Sequence, residues 1–228
     1  MFLQPLKPMM TSMQQPLLIC KEIRPVKTAS LITRAAMISV LATTSAVVSL
    51  VSTPAFSATS TVTALSSSEA KTLTFMREEE KLARDVYTNL YQLWRAEVFY
   101  NISLSEQQHM DTMKKMLDKY KLPDPALPTV GLFSDSGLQA LYNTLLASGS
   151  KTLIDGLRVG ATIEEVDMVD IQHAIDGTTH TDLKTAYQNL MEGSKSHLRA
   201  FVGELSKQGV TYTPQFISQE LFDAIIGT

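Results

Sequence analysis

KTLTFMREEEKLARDVYTNLYQLW, residues 71–94, decides the fold. Its apolar and small residues Leu73, Met76, Ala83, Tyr87, Leu90 and Trp94 recur in three- and four-residue steps, the period of one buried stripe along an α-helix. The gap in the stripe falls at Glu80, and a helix that runs through the gap carries this carboxylate into the core between Met76 and Ala83. An ionised carboxylate buried without compensation is expensive, so the stretch predicts a helix and also asks for a cation.

The next helix is expected over 98–120, from Phe99, Ile102, Met113 and Tyr120, and it stops before Pro123 and Pro125, which lack amide donors. Continuing its stripe through Phe99, Ile102, Glu106, His109 and Met113 puts Glu106 and His109 inside, one turn apart. LPDPALPTVGLFSDSG (residues 122–137) then serves as a long crossover, and Leu138, Leu141 and Leu145 mark a short extra helix inside that connection. A third long pattern runs over 151–175, with a break expected near Gly156 or Gly160, and ends at the GTTHT turn (177–181). The fourth covers 182–205, and a short C-terminal helix follows Pro214. With no alternating β-branched runs bounded by turns, the fold class is all-α, a four-helix bundle over residues 68–228.

Upstream of about residue 60 the composition differs. Five basic residues (Lys7, Lys21, Arg24, Lys27, Arg34) accompany one acid, Glu22, and the apolar run AAMISVLATTSAVVSLVS (35–52) leads to small residues around Ala55 and Ser57. This layout is that of an export signal, so residues 1–57 are expected to be a cleaved leader, 58–67 a linker, and the domain periplasmic or secreted. An uncleaved membrane anchor is the alternative, since the run approaches the roughly 18 residues that span a bilayer. Without the leader the chain carries 20 − 5 = 15 basic and 23 − 1 = 22 acidic residues, a net charge of −7 with His neutral. Such a balance argues against nucleic acid as a partner. The only cysteine, Cys20, lies in the leader, so the domain has no disulfide, thiol nucleophile or cysteine-ligated zinc or iron.

Taken singly, the candidate residues have structural readings. Glu106 has capping-box spacing from Ser103, His109 alone reads as a hydrogen-bonded core histidine, and the methionines Met76, Met110, Met113, Met116, Met168 and Met191 read as core filler. His173 and His180 read as surface residues, and Tyr87 as a packed ring with a satisfied hydroxyl. The second half, however, repeats the first. Glu79-Glu80 with Asp85 matches Glu164-Glu165 with Asp170, and SEQQH (105–109) matches GSKSH (193–197), pairing His109 with His197 and setting Ser194 where Glu106 stands.

ExxARxxY, here Glu80, Ala83, Arg84 and Tyr87, and Glu106-x-x-His109 resemble the first two helices of rubrerythrin-type ferritin-like proteins. EEEKLARDVY, SEQQHM, GATIEEVDMVD and SHLRAF together resemble a ferritin-like family described only as a domain of unknown function. The resemblance implies a di-iron carboxylate and histidine site with Glu80, Glu106, His109, Glu165 and His197 as ligands. Glu79, Glu164, Asp167 and Asp170 are further candidates, because Ser194 leaves one carboxylate missing and the stripe of the third helix accommodates Glu164 as well as Glu165. Oxygen and imidazole donors suit iron, with manganese or zinc as alternatives. The expected activity is redox chemistry of peroxidase or ferroxidase type on peroxide, dioxygen or ferrous iron, with the electron donor unidentified and a homodimer compatible. The alternative is a non-catalytic bundle that binds metal or an envelope partner.

Overall fold

Ser66 and Glu69 start the first helix by satisfying each other's backbone amides, Ser66 Oγ accepting from Glu69 N and Glu69 Oε2 from Ser66 N. The helix, α1, spans Ser67–Trp94 and ends where Arg95 turns left-handed at φ 55°. Only Arg95 and Ala96 separate it from α2, Glu97–Lys119, so the two form a tight antiparallel hairpin. The computed structural model describes residues 63–227. The expected leader, its anchor alternative and the first part of the linker lie outside those residues.

After the crossover, Asp135 caps α3 (Ser136–Gly149) by accepting from the amides of Gly137 and Leu138. Thr152 caps α4 (Leu153–Gly177), a three-residue turn leads to α5 (Thr181–Lys207), and Ser218 caps α6 (Gln219–Ile226). α1 packs along α2 and α4 along α5, while α1 meets α4 and α2 meets α5. The result among the described residues is an all-helical bundle of two hairpins, with α3 laid against α1 and α4. Each long helix agrees with its expected span to within about two residues, the uncertainty of helix ends.

α4 runs through both of its early glycines, where a break was expected. The glycines serve close approach instead: a Cβ on Gly160 would stand 2.5 Å from the Phe201 ring, and one on Gly156 3.2 Å from the Trp94 indole nitrogen. The turn before α5 also differs from expectation. His180 is half-buried rather than free in solvent: its Nδ1 lies 2.9 Å from Glu69 Oε1, which also accepts from the Thr178 hydroxyl. His173 is exposed, as expected.

The crossover is held by charge as well as by the burial of Phe133 in the apolar core. Lys81, fully buried, pairs with Asp85 and donates to the Thr129 carbonyl, while Asp85 also accepts from Arg84 and from the Gly131 amide. Glu78 accepts from the amides of Ser134 and Asp135, and Arg77 grips Asp124 through two nitrogens. Gly131, at φ 78°, brings its backbone against the Tyr142 ring, where any Cβ would lie within 2.9 Å of ring atoms.

The apolar core is divided into two clusters. Val86, Tyr87, Phe99, Leu198 and Phe201 belong to one, and Leu73, Met113, Ile171 and Leu190 to the other. Along α1, α2 and α5 the break between them falls at polar residues, Glu80 on α1, Glu106 and His109 on α2, and Ser194 and His197 on α5, and α4 sets the buried Glu164 and Asp167 at the same level, between Ile163 and Met168 of the first cluster. This polar layer is the candidate site.

Candidate metal centre

Two triads occupy the polar layer. Ligand-capable atoms of Glu80, Glu106 and His109 lie within 4.8 Å of one another, and so do those of Glu106, Glu164 and His197. Glu106 belongs to both. Its Oε2 stands 2.7 Å from His109 Nδ1 and its Oε1 2.7 Å from His197 Nδ1, so one carboxylate spans the two imidazoles. Glu80 Oε2 approaches His109 Nδ1 at 3.2 Å and Glu164 Oε2 approaches His197 Nδ1 at 3.4 Å, giving each ring a second carboxylate. The two rings face each other with centroids 5.4 Å apart.

Several of these atoms are buried without a hydrogen-bond partner: Glu80 Oε1, Glu106 Oε1 and His197 Nδ1. The 2.7 Å approach of Glu106 Oε1 to His197 Nδ1 is therefore close but not aligned as a hydrogen bond. Unpaired donors and acceptors in a core call for a further partner.

The charges are strongly coupled. Burial works against ionisation of Glu106, but the flanking His109 and His197 outweigh it and hold the carboxyl down at about 2. Burial likewise disfavours the imidazolium of His109, yet Glu106 and Glu80 push it up to about 11. His197 is raised to about 10 by Glu164 and Glu106 against the same opposition. Glu80, desolvated and beside Glu106, rises to about 8 even though His109 pulls the other way.

Glu165 is not where the resemblance implied. It points away from both triads, and its Oε2 accepts from three consecutive amides, Gln215, Phe216 and Ile217, anchoring the segment before α6. Glu164 takes the place in the second triad, and Tyr87, fully buried, donates its hydroxyl to Glu164 Oε1 at 2.5 Å. Glu165→Ala is accordingly expected to cost about 1–3 kcal/mol through its orphaned amides while leaving the triads intact. Denaturant unfolding alongside metal content checks both halves.

The missing carboxylate at Ser194 is compensated from the neighbouring helix. Asp167, on α4, accepts the Ser194 hydroxyl, and its Oδ1 stays buried and unpartnered beside the second triad. Glu79 and Asp170 belong to neither triad, the Glu79 carboxyl meeting that of Asp170 on the α1/α4 side.

The model of the uncharacterized protein domain DUF2202 matches residues 69–228. The chain belongs to the DUF2202 family. The uncharacterized protein MJ0754 of Methanocaldococcus jannaschii is 47% identical over 165 residues, which cover 72% of this chain and 89% of that protein. A crystal structure of the same archaeal protein, described as hypothetical, superposes with a TM-score of 0.72 at 46% identity, covering 74% of this chain and 97% of the other.

Within the DUF2202 domain two further residues shape the rings, and periodicity did not single them out. His197 Nε2 donates to Ser105 Oγ at 2.9 Å, which turns Nδ1 toward Glu106 and Glu164. Gly193, at the matching position of the repeat, has no side chain because His109 lies there: a Cβ would stand 2.5 Å from its Cε1 and Nε2. The signal for both was present in the alignment of SEQQH with GSKSH, where they occupy the same column. Gly193→Ala improves helix propensity by about 1 kcal/mol but displaces the His109 ring. The expected result is a domain at least as helical that binds metal less tightly, by about 10–100-fold as for other disturbed ligand supports, measured by competition with a chelator.

Proposed function

We propose that this DUF2202 domain is a ferritin-like two-metal centre, with iron as the metal, in which Glu106 bridges, Glu80 and His109 complete one position, and Glu164 and His197 the other. The observation that carries the reading is the convergence of two buried carboxylate and imidazole triads on the single Glu106 carboxylate, with Glu80 Oε1 beside it buried and without a hydrogen-bond partner. The donor set fits: carboxylate oxygens and imidazole nitrogens without sulfur suit iron or manganese and admit zinc. Three carboxylates and two imidazoles in one dry layer are compensated by cations more completely than by one another.

Iron held there supplies one-electron redox chemistry toward dioxygen or peroxide. The protein's part is to hold the carboxylates and imidazoles rigid, through Tyr87 on Glu164 and Ser105 on His197, and to keep water out with the two apolar clusters on either side. Residues 63–227 contain no cysteine, so a sulfur-ligated iron module within the domain is not the electron source. Ferrous iron serving as its own donor, the ferroxidase reaction, needs none, and this favours ferroxidase over peroxidase turnover. The leader's composition supports placing the reaction outside the cytoplasm.

Metal uptake should release protons. His109 and His197, raised to about 11 and about 10, are protonated at neutral pH in the metal-free domain, and only neutral imidazole ligates. Each ring therefore gives up one proton on binding, Glu80, raised to about 8, gives up most of one more at pH 7, and affinity should rise with pH from 7 toward 10, by about tenfold per unit for each proton displaced. Calorimetry in buffers of different ionisation enthalpy reads the proton number directly, and uptake without proton release contradicts the assignment of both rings. Mixing the loaded domain with excess ferrous iron and oxygen, and following ferric absorbance, tests turnover. Tight binding without turnover favours storage or hand-over of metal instead.

A further inference from the structure

Glu69 collects five hydrogen bonds at the end of the bundle where α1 and α5 begin and α2 and α4 end. Its Oε2 accepts from the amide and hydroxyl of Ser66, and its Oε1 from the Thr178 hydroxyl, the Thr179 amide and His180 Nδ1, at 2.7–3.2 Å. His180 precedes α5 but does not cap it with its side chain; the ring reaches across to α1 instead. The Tyr120 ring at the end of α2 stands edge-on to it at 5.5 Å, and Tyr120 and Lys119 both bond Asp182 in the first turn of α5. His180 Nε2 is buried without a hydrogen-bond partner, and the Thr63 backbone lies beside the ring, where the linker joins the domain. The apolar cluster that contains Leu73, Met113, Ile171 and Leu190 separates this group from the triads.

We propose that Glu69 and His180 are a proton-operated clasp that fastens the linker and the start of α1 to the α4/α5 turn, closed while the imidazole is charged and loosened when it is neutral. The clasp is independent of the two-metal reading of the core.

The position before a helix ordinarily goes to Ser, Thr, Asp or Asn, whose short side chains cap the first turn. Histidine gives up that cap here, and what it gains is the contact with Glu69, through the one side chain whose charge changes near neutral pH. The hydrogen bond with Glu69 raises His180 above the ordinary 6.5; burial opposes the shift, and the Glu69 charge, the Thr63 backbone and Asp182 add to it. Burial works against ionised Glu69 in turn, but the bonds from Ser66, His180 and Thr178 hold its carboxyl well below the ordinary 4.5. The other ionisable groups around the pair are Lys119, which is committed to Asp182, Tyr120, and the buried Tyr187 with its hydroxyl unpartnered. A raised folded pKa contributes stability that is fully present below the unfolded value and lost as pH rises through the folded one; a depressed pKa contributes stability that is lost as pH falls. The clasp is therefore tightest between 4.5 and 6.5 and loosens toward alkaline pH. There the neutral ring still donates from Nδ1, but without the charge attraction to Glu69.

The test follows the full chain by nuclear magnetic resonance from pH 5 to 9, reading the His180 ring and, on the same samples, hydrogen exchange at the Ala70, Thr179 and His180 amides, each rate corrected for its intrinsic pH dependence. Protonation and closure are linked, so the factor by which closure tightens the hold of His180 on its proton must equal the factor by which opening rises across its titration. The His180 ring is expected to titrate above the ordinary value of about 6.5, and opening at these amides to rise about tenfold per unit of that displacement, while the amides of Leu117 and Ile171, deeper in the bundle, stay unchanged. Glu69→Gln should return His180 to the ordinary range, and His180→Gln, which keeps a donor for Glu69 but cannot titrate, should open to one extent at every pH. A wild-type ring that titrates at the ordinary value overturns the clasp, as does a displaced titration with no matching rise in opening. A pH dependence that survives in His180→Gln overturns it too, and that comparison decides the matter even where Glu69→Gln frays the end of the bundle.

Discussion

Replacing Glu106 with alanine is expected to abolish both metal equivalents at once while the domain stays helical. Each triad contains this carboxylate, one oxygen facing each imidazole at 2.7 Å, so its loss leaves each position with only one carboxylate and one ring. Disturbing a mere supporting residue costs about 10–100-fold in metal affinity, and removing a shared ligand must cost more at both positions. Glu80→Ala and Glu164→Ala provide the contrast, since each touches one triad and should remove one equivalent. Helicity survives because Glu106 makes no helix-capping contact: α2 begins at Glu97, and Ser103 turns its hydroxyl to the Tyr100 carbonyl, so the capping-box reading of Ser103 and Glu106 does not apply. Metal content per chain by plasma mass spectrometry, beside a far-ultraviolet spectrum, checks the outcome.

Asp85→Ala should be the most destabilising single change outside the triads. Asp85 is fully buried and simultaneously accepts from Lys81, Arg84 and the Gly131 amide, and Lys81 itself has no exposure. Removing one partner of a buried pair leaves the other charged group stranded in the core, a loss of about 3–5 kcal/mol, to which the orphaned Gly131 amide adds. The change also unfastens the crossover from α1. Equilibrium denaturant unfolding reads the loss, and Asp85→Asn, which keeps an acceptor for the amide, should recover part of it.

How far the sequence alone reached depended on what competed for each residue. The four long helices were legible because their stripes are regular, Glu80, Glu106 and His109 because each falls on a stripe where an apolar residue belongs, and His197 because the repeat pairs it with His109. Glu164 and Glu165 were not separable in this way, since adjacent helical positions differ by about 100° and both lie within reach of a broad buried face. What decides between them is distant in sequence: the amides of residues 215–217 take Glu165. The repeat had matched Glu80 with Glu165, but in space Glu80 corresponds to Glu164. Lys81 and Glu165 then become counterparts, each one residue past a triad member and each fastening a connecting segment to the bundle. Arg77, Glu78 and Lys81 escaped notice for the same reason, because crossover backbone has no periodicity to read, and Asp85 was legible only as a member of the repeat and not as a crossover anchor. Ser194 was legible as a departure from the pattern, and Asp167 filling in from α4 was among the candidates, but only the shared hydrogen bond singles it out.

Anomalous diffraction from crystals grown with ferrous iron or manganese tests whether the Glu106 carboxylate is shared by two metal ions. Two anomalous peaks are expected about 3.5–4 Å apart, the spacing of two-metal sites, one between Glu80, Glu106 and His109 and the other between Glu106, Glu164 and His197. Crystals that show no anomalous density in this layer at saturating metal, or peaks only at surface carboxylates, would contradict it.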